Sequence, residues 1–174
     1  MAIHATIDLE TIDTKPGATV LSLGGVKFDP KTNGEPHSEF YIKISIDDQD
    51  RLGRSASDDT IEWWAKQKPE IREEAFDQTG AVTVDEALKQ ISKFSVGVDT
   101  FWGQGYGFDY TIMEDMFRQG GKPIPWNFWQ IRDSRTLFAC CEKDPRKAIQ
   151  NDLHNPANQC SSQQRPDKQD QVCE

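Results

Sequence analysis

The segment Ile7-Asp8-Leu9-Glu10-Thr11 sets two carboxylates two residues apart inside an alternating apolar run. Residues i and i+2 of a strand point to one face, so Asp8 and Glu10 stand side by side, opposite Ile7 and Leu9. Two acids this close repel unless a cation sits between them. Hard oxygen donors on a rigid strand suit Mg²⁺ or Mn²⁺. For the pair alone, a strand end with two solvated acids is the plainer reading. Asp109 changes the weighting. It follows the glycine-rich stretch Gly103-Gln-Gly-Tyr-Gly107 and opens an amphipathic helix over 108–118. An acid in a first helical turn is also an ordinary partner of the helix dipole. Beside Asp8 and Glu10 it would complete a metal site. His154 lies further on, in Asp152-Leu-His-Asn155. A lone histidine is most simply structural or on the surface, but beside a metal pair it could take the proton from an attacking water.

Several elements must position these groups. Residues 3–9, 19–28 and 39–46 carry strand patterns, with a turn around Pro30, Asn33 and Gly34. Their spacing predicts an antiparallel meander. Asp47 to Asp58 is polar and reads as loop. Asp59-Thr-Ile-Glu62 fits a capping box and starts a helix bearing Trp63 and Trp64, which Pro69 ends or follows with a new turn. Thr83-Val-Asp-Glu86 is a second capping box, with Leu88, Ile91 and Phe94 at helical spacing behind it. Val98 to Trp102 reads as a short buried strand, and 131–138 as a strand leading into a helix. Three strands followed by alternating strands and helices indicate an α/β fold with a mixed sheet.

The whole chain has 174 residues, one domain's worth, with 20 basic and 29 acidic residues and a net charge of −9. That argues against a protein that coats nucleic acid through a basic surface. It leaves room for an enzyme that reaches phosphates through bound cations. No apolar run is long enough to cross a membrane, and the N-terminus lacks the pattern of a signal peptide. Cys140 and Cys141 are adjacent and no Cys-x-x-Cys pair occurs, so a reducing cytoplasm is the expected setting.

Taken together, Ile7–Thr11, Phe108-Asp109 after the glycine-rich turn, and Leu153-His-Asn155 resemble the DnaQ-like, DEDDh-type 3′–5′ exonucleases. The likeness is greater to a branch holding the DexA-like phage exonucleases and the Rv2179c-like exoribonucleases. That branch shows the segments found here as Ile61-Glu-Trp-Trp64 and Phe128-Trp-x-x-Arg-Asp-x-Arg-Thr136. The resemblance implies a ribonuclease H-like fold, with a mixed five-stranded sheet flanked by helices over residues 1–154. Asp8, Glu10 and Asp109 would be catalytic metal ligands for two divalent cations, Mg²⁺ or Mn²⁺, and His154 the general base. Thr11, Trp63, Trp64 and Phe108 would contact substrate. The partners would be single-stranded DNA or RNA 3′ ends, with a homodimer as a further option. The setting would be the cytoplasm of a bacterial host, with a phage or prophage origin.

The chain departs from this pattern after His154. The family carries a fourth acid five residues past the histidine; here that residue is Gln159, and Pro156 falls where the family helix is under way, tolerable in a first turn but disruptive later. Residues 155–174 are polar and are expected to fray or stay disordered. This abrupt change is what a truncated or frame-shifted copy would carry. The alternative function is therefore a catalytically inactive relative that binds nucleic acid or protein. The other residues divide as follows. Of the adjacent Trp63 and Trp64, one could be core and the other face a cleft. Trp126, Phe128 and Trp129 read as packing. Arg132 and Arg135 could meet phosphate, or one could pair with Asp133. The glycines at 103, 105 and 107 do not have the spacing of a dinucleotide fingerprint.

Overall fold

The computed structural model describes residues 2–32 and 36–142. Strands β1 (His4–Thr11), β2 (Val20–Phe28) and β3 (Ser38–Lys43) form the antiparallel meander. β4 (Thr100–Gly103) then pairs parallel to β1, and β5 (Ile131–Asp133) parallel to β4. The order is β3-β2-β1-β4-β5, a mixed five-stranded sheet. Among the described residues there are also helices α1 (Ile46–Arg51), α2 (Asp58–Ala65), α3 (Pro69–Phe76), α4 (Val84–Ser95), α5 (Tyr106–Gln119) and α6 (Ser134–Ala139), with a short 3-10 turn at Phe128–Gln130.

Exposure alternates along β1, with Ala5, Ile7 and Leu9 buried and Asp8 and Glu10 turned away from them. The buried face packs under α4 through Leu88 and Ile91, and under α5 through Ile112, Met113 and Met116. Phe101 of β4 and Leu23 of β2 join that layer. A smaller cluster joins Ile12, Leu21 and Trp64 to Ala75 of α3. Leu21 leaves the alternation because the β1–β2 register shifts between Glu10 and Thr11. The extra residue of that bulge turns the strand end.

Some boundaries differ from the sequence reading. Residues 47–58 are not all loop. Ser45 caps α1 by accepting the N–H of Asp48, and Gln49 is buried because its amide satisfies both backbone groups of Val20. The polar composition hid a residue whose polarity serves the sheet. Ser57, not Asp59, caps α2, accepting the N–H of Thr60. Asp58 and Asp59 instead occupy the first turn, where the dipole favours them. Pro69 begins α3, at the position where its missing N–H costs nothing. Thr83 caps α4 as the capping box predicts. β3 ends at Lys43, earlier than the alternation to Ile46 implied. Ile44 makes a bridge to Val82 before the chain enters α1.

Candidate active site

β1 and β4 are parallel neighbours, so their C-terminal ends share one edge of the sheet. β2 runs the other way on the far side of β1, so the strand direction reverses there. Ligands of open α/β sheets bind at such carboxyl edges. Asp8 and Glu10 stand near the end of β1, opposite Gly24 and Ser22 of β2. Small residues in register leave the carboxylate pair as the prominent groups of that face. α5 starts directly after β4, and Asp109 lies in its first turn with only 4% exposure. The topology therefore brings all three sequence-predicted acids to the same edge. Burial pushes the neighbouring Tyr110 phenol well above its usual range, and the Asp109 carboxylate adds to the effect. The Tyr110 hydroxyl donates to the carbonyl of Trp102, which ties α5 to β4.

The donors are hard carboxylate oxygens, the class that Mg²⁺ and Mn²⁺ prefer. Among the described residues, no three Asp, Glu, His or Cys side chains form a group that would hold a metal ion by itself. The chemistry of the acids fits a divalent cation, while further donors would have to come from elsewhere. His154, Gln159 and the polar tail lie outside the described residues.

The aromatic and hydroxyl residues separate by role. Trp64 is 2% exposed, its indole N–H donates to the carbonyl of Thr11, and Phe76 meets it edge-on. It anchors the end of β1. A substrate contact by Trp64 does not fit this burial, because a base has no open ring face to stack on. Trp63 is half-buried and lies edge-on to Trp64. The Thr11 side chain is buried, its hydroxyl donating to the carbonyl of Asp13. Phe108 is half-buried against the main core. Trp126 is core, as its sequence reading had it, but Phe128 and Trp129 are exposed and lie before β5, at the opposite edge from the acids. Arg132 donates to the carbonyls of Trp129 and Ile131, a structural use.

Two positioning devices go beyond the sequence reading. The Arg54 guanidinium is buried. It donates to the carbonyls of Pro16 and Ala18, beyond β1, and to Asp115 and Gln119 of α5. It thus clamps the loop that follows β1 to α5. Asp133 ends β5, and its carboxylate takes the backbone N–H of Gly105 as well as groups of its own helix. The sequence reading paired it only with arginines. Burial pushes its pKa up, but hydrogen bonds from Gly105, Thr136 and Arg135 outweigh this and hold it below the usual carboxylate range.

Similarities to known proteins concern the family and the fold. The chain is 29% identical over 154 residues to the exodeoxyribonuclease of Enterobacteria phage T4, covering 75% of this chain and 68% of that protein. A solved structure of exonuclease I superposes with a TM-score of 0.59 at 14% identity, over 80% of this chain. Escherichia coli exonuclease I bound to a dT13 oligonucleotide gives 0.56 at 17% identity, again over 80% of this chain. The zinc-bound form of the same enzyme with single-stranded DNA gives 0.57 at 19% identity and the same coverage. The chain spans 30% of the length of each of these structures, and at such identities the likeness concerns the fold alone. Residues 3–165, running past His154, match the 3′–5′ exoribonuclease Rv2179c-like domain, and this chain belongs to that family.

Proposed function

We propose that the chain is a divalent-metal-dependent 3′–5′ exonuclease that releases nucleoside monophosphates from single-stranded ends. The observation that carries this reading is the placement of Asp8 and Glu10 on one face of β1, with Asp109 in the first turn of the helix after the adjacent parallel strand. Asp8, Glu10 and Asp109 would hold the cations. Bound there, two divalent ions supply Lewis acidity at the attacking and leaving oxygens and lower the pKa of water. The protein's own part is to fix the acids on a central strand and a packed helix, so that little reorganisation accompanies the reaction. His154 would take the proton of the attacking water. Trp63 offers a half-buried ring near the end of β1 for a terminal base, while Thr11 and Phe108 shape the same edge. The expected setting is the cytoplasm of a bacterial host, and the T4 relative is the reason to consider a phage origin. No homodimer is proposed, since none of the similarities supports one.

The test is release of nucleoside monophosphates from a single strand with a free 3′ end, in Mn²⁺ or Mg²⁺, beside Asp8→Ala. DNA and RNA strands are both needed, because the family description names an exoribonuclease and the phage relative is an exodeoxyribonuclease. Metal-dependent release that disappears in Asp8→Ala supports the proposal. A second reading, an inactive relative that binds nucleic acid or protein, is favoured by Gln159 where the family has an acid. No release by a folded parent chain, with activity restored by Gln159→Asp, would decide for it. Reading the encoding DNA in the other two frames tests the altered C-terminus. An apolar helix with an acid near position 159 in neither frame would sink that idea.

A further inference from the structure

We propose that Asp133 is a positioning residue for Asp109, acting through the turn between β4 and α5. The inference rests on the metal-site reading above. Asp133 lies in register with Gly103 across the β4–β5 pair. Its Oδ1 accepts the N–H of Gly105 at 3.1 Å and that of Arg135 at 3.0 Å, and its Oδ2 accepts the Thr136 hydroxyl at 2.9 Å. Capping α6 requires only the last two. The bond to Gly105 reaches a different element.

Gly105 is the N-cap of α5, and it has no side chain with which to cap it. Its φ of +94° belongs to the left-handed region, which glycine occupies without a Cβ penalty. The Gly105 carbonyl accepts the N–H of Phe108 at 2.9 Å. A short chain of contacts therefore runs from the Asp133 carboxylate to the Gly105 N–H, through the backbone of Gly105 to its carbonyl and Phe108, and on to the next residue, Asp109. Ser134 holds the other end of the turn, its hydroxyl donating to the Gly103 carbonyl at 3.2 Å. A carboxylate is a stronger acceptor for these amides than a neutral oxygen. The segment Arg-Asp-x-Arg-Thr thus carries a group whose reach extends beyond its own helix to the start of the one that presents the third acid.

The experiment uses the full chain and needs no turnover. Mn²⁺ binding is followed by calorimetry, and hydrogen exchange by mass spectrometry over 103–109. Asp133→Ala is expected to speed exchange in that segment and to weaken Mn²⁺ binding about tenfold, the usual scale for groups that orient metal ligands. Asp133→Asn keeps an oxygen for both amides but loses the charge, and is expected to fall between the parent and Asp133→Ala. Asp133→Ser can still cap α6 but is too short to reach Gly105. It is expected to behave like Asp133→Ala at a near-parental melting temperature, which keeps the test decisive if the alanine variant does not fold. Unchanged Mn²⁺ affinity in folded Asp133→Ala and Asp133→Ser overturns the proposal and leaves Asp133 a helix cap. If the parent binds no Mn²⁺, or binds it equally well after Asp8→Ala, the metal-site reading itself fails and the positioning role falls with it. Binding that responds to Asp8 but not to Asp133 removes the second alone.

Discussion

Trp63 and Trp64 show how neighbouring residues of one type divide between stability and binding. Trp64 sits in the smaller core cluster and closes a hydrogen bond to the Thr11 carbonyl. Trp64→Ala is expected to cost about 3–5 kcal/mol in a urea titration, since it opens a large cavity and orphans that carbonyl. Trp63→Ala is expected to leave most of the stability in place. If Trp63 stacks on a base, its loss weakens single-strand binding by about 1–3 kcal/mol, measurable by fluorescence anisotropy on an inactive Asp8→Ala background. Equal binding by the two proteins would remove Trp63 from the substrate path. At this scale the acids were the most legible feature, because period-two spacing alone places Asp8 and Glu10 on one face. The fate of each tryptophan was not legible, because adjacency fixes an angle between side chains but not which of them meets the core.

Elements follow local rules until a distant group intervenes. The meander, the capped α4 and the helix after the glycine-rich turn could all be read from period, cap and turn chemistry. The short α1 could not, because Gln49 draws its reason from Val20 across the sheet. Arg54 is the same case in stronger form. Nothing near it in the chain announces a buried guanidinium that joins the loop after β1 to α5. Arg54→Met is expected to cost about 2–4 kcal/mol in denaturant unfolding, since it leaves the carbonyls of Pro16 and Ala18 without their donor. Activity per folded molecule is expected to fall as well, because the clamp joins the loop that follows the strand of Asp8 to the helix of Asp109. Gly105→Ala belongs to this scale too. It forces a Cβ into the left-handed region beside the Arg135 guanidinium. A melting-temperature loss equivalent to about 1 kcal/mol or more is expected.

At the scale of the whole molecule, charge and topology set the behaviour. With a net charge of −9, attraction to a phosphate backbone has to come from local cations. Chelating divalent ions is therefore expected to reduce oligonucleotide affinity sharply, and equal binding in EDTA would show that another surface does the work. Surface ion pairs contribute to the acid limb of stability. The Lys43 ammonium and Thr79 hold Asp77 down at about 2, and Lys122 and Lys89 do the same for Asp85. A carboxylate depressed in the folded state contributes stability above its ordinary value near 3.8 and loses it as pH falls towards about 2. Melting temperature is thus expected to drop between about pH 4 and 2, and Asp85→Asn to flatten part of that drop. The register of β1 against β4 pairs His4 with Thr100 and Thr6 with Trp102. A ribosome therefore releases the meander, with Asp8 and Glu10 already in line, long before the segment that carries Asp109 leaves the exit tunnel. The partner strand must close a loop of nearly a hundred residues, the slow kind of contact in folding. A nascent chain paused short of Thr100 would hold Asp8 and Glu10 without Asp109, so the three proposed ligands would come together only late in synthesis.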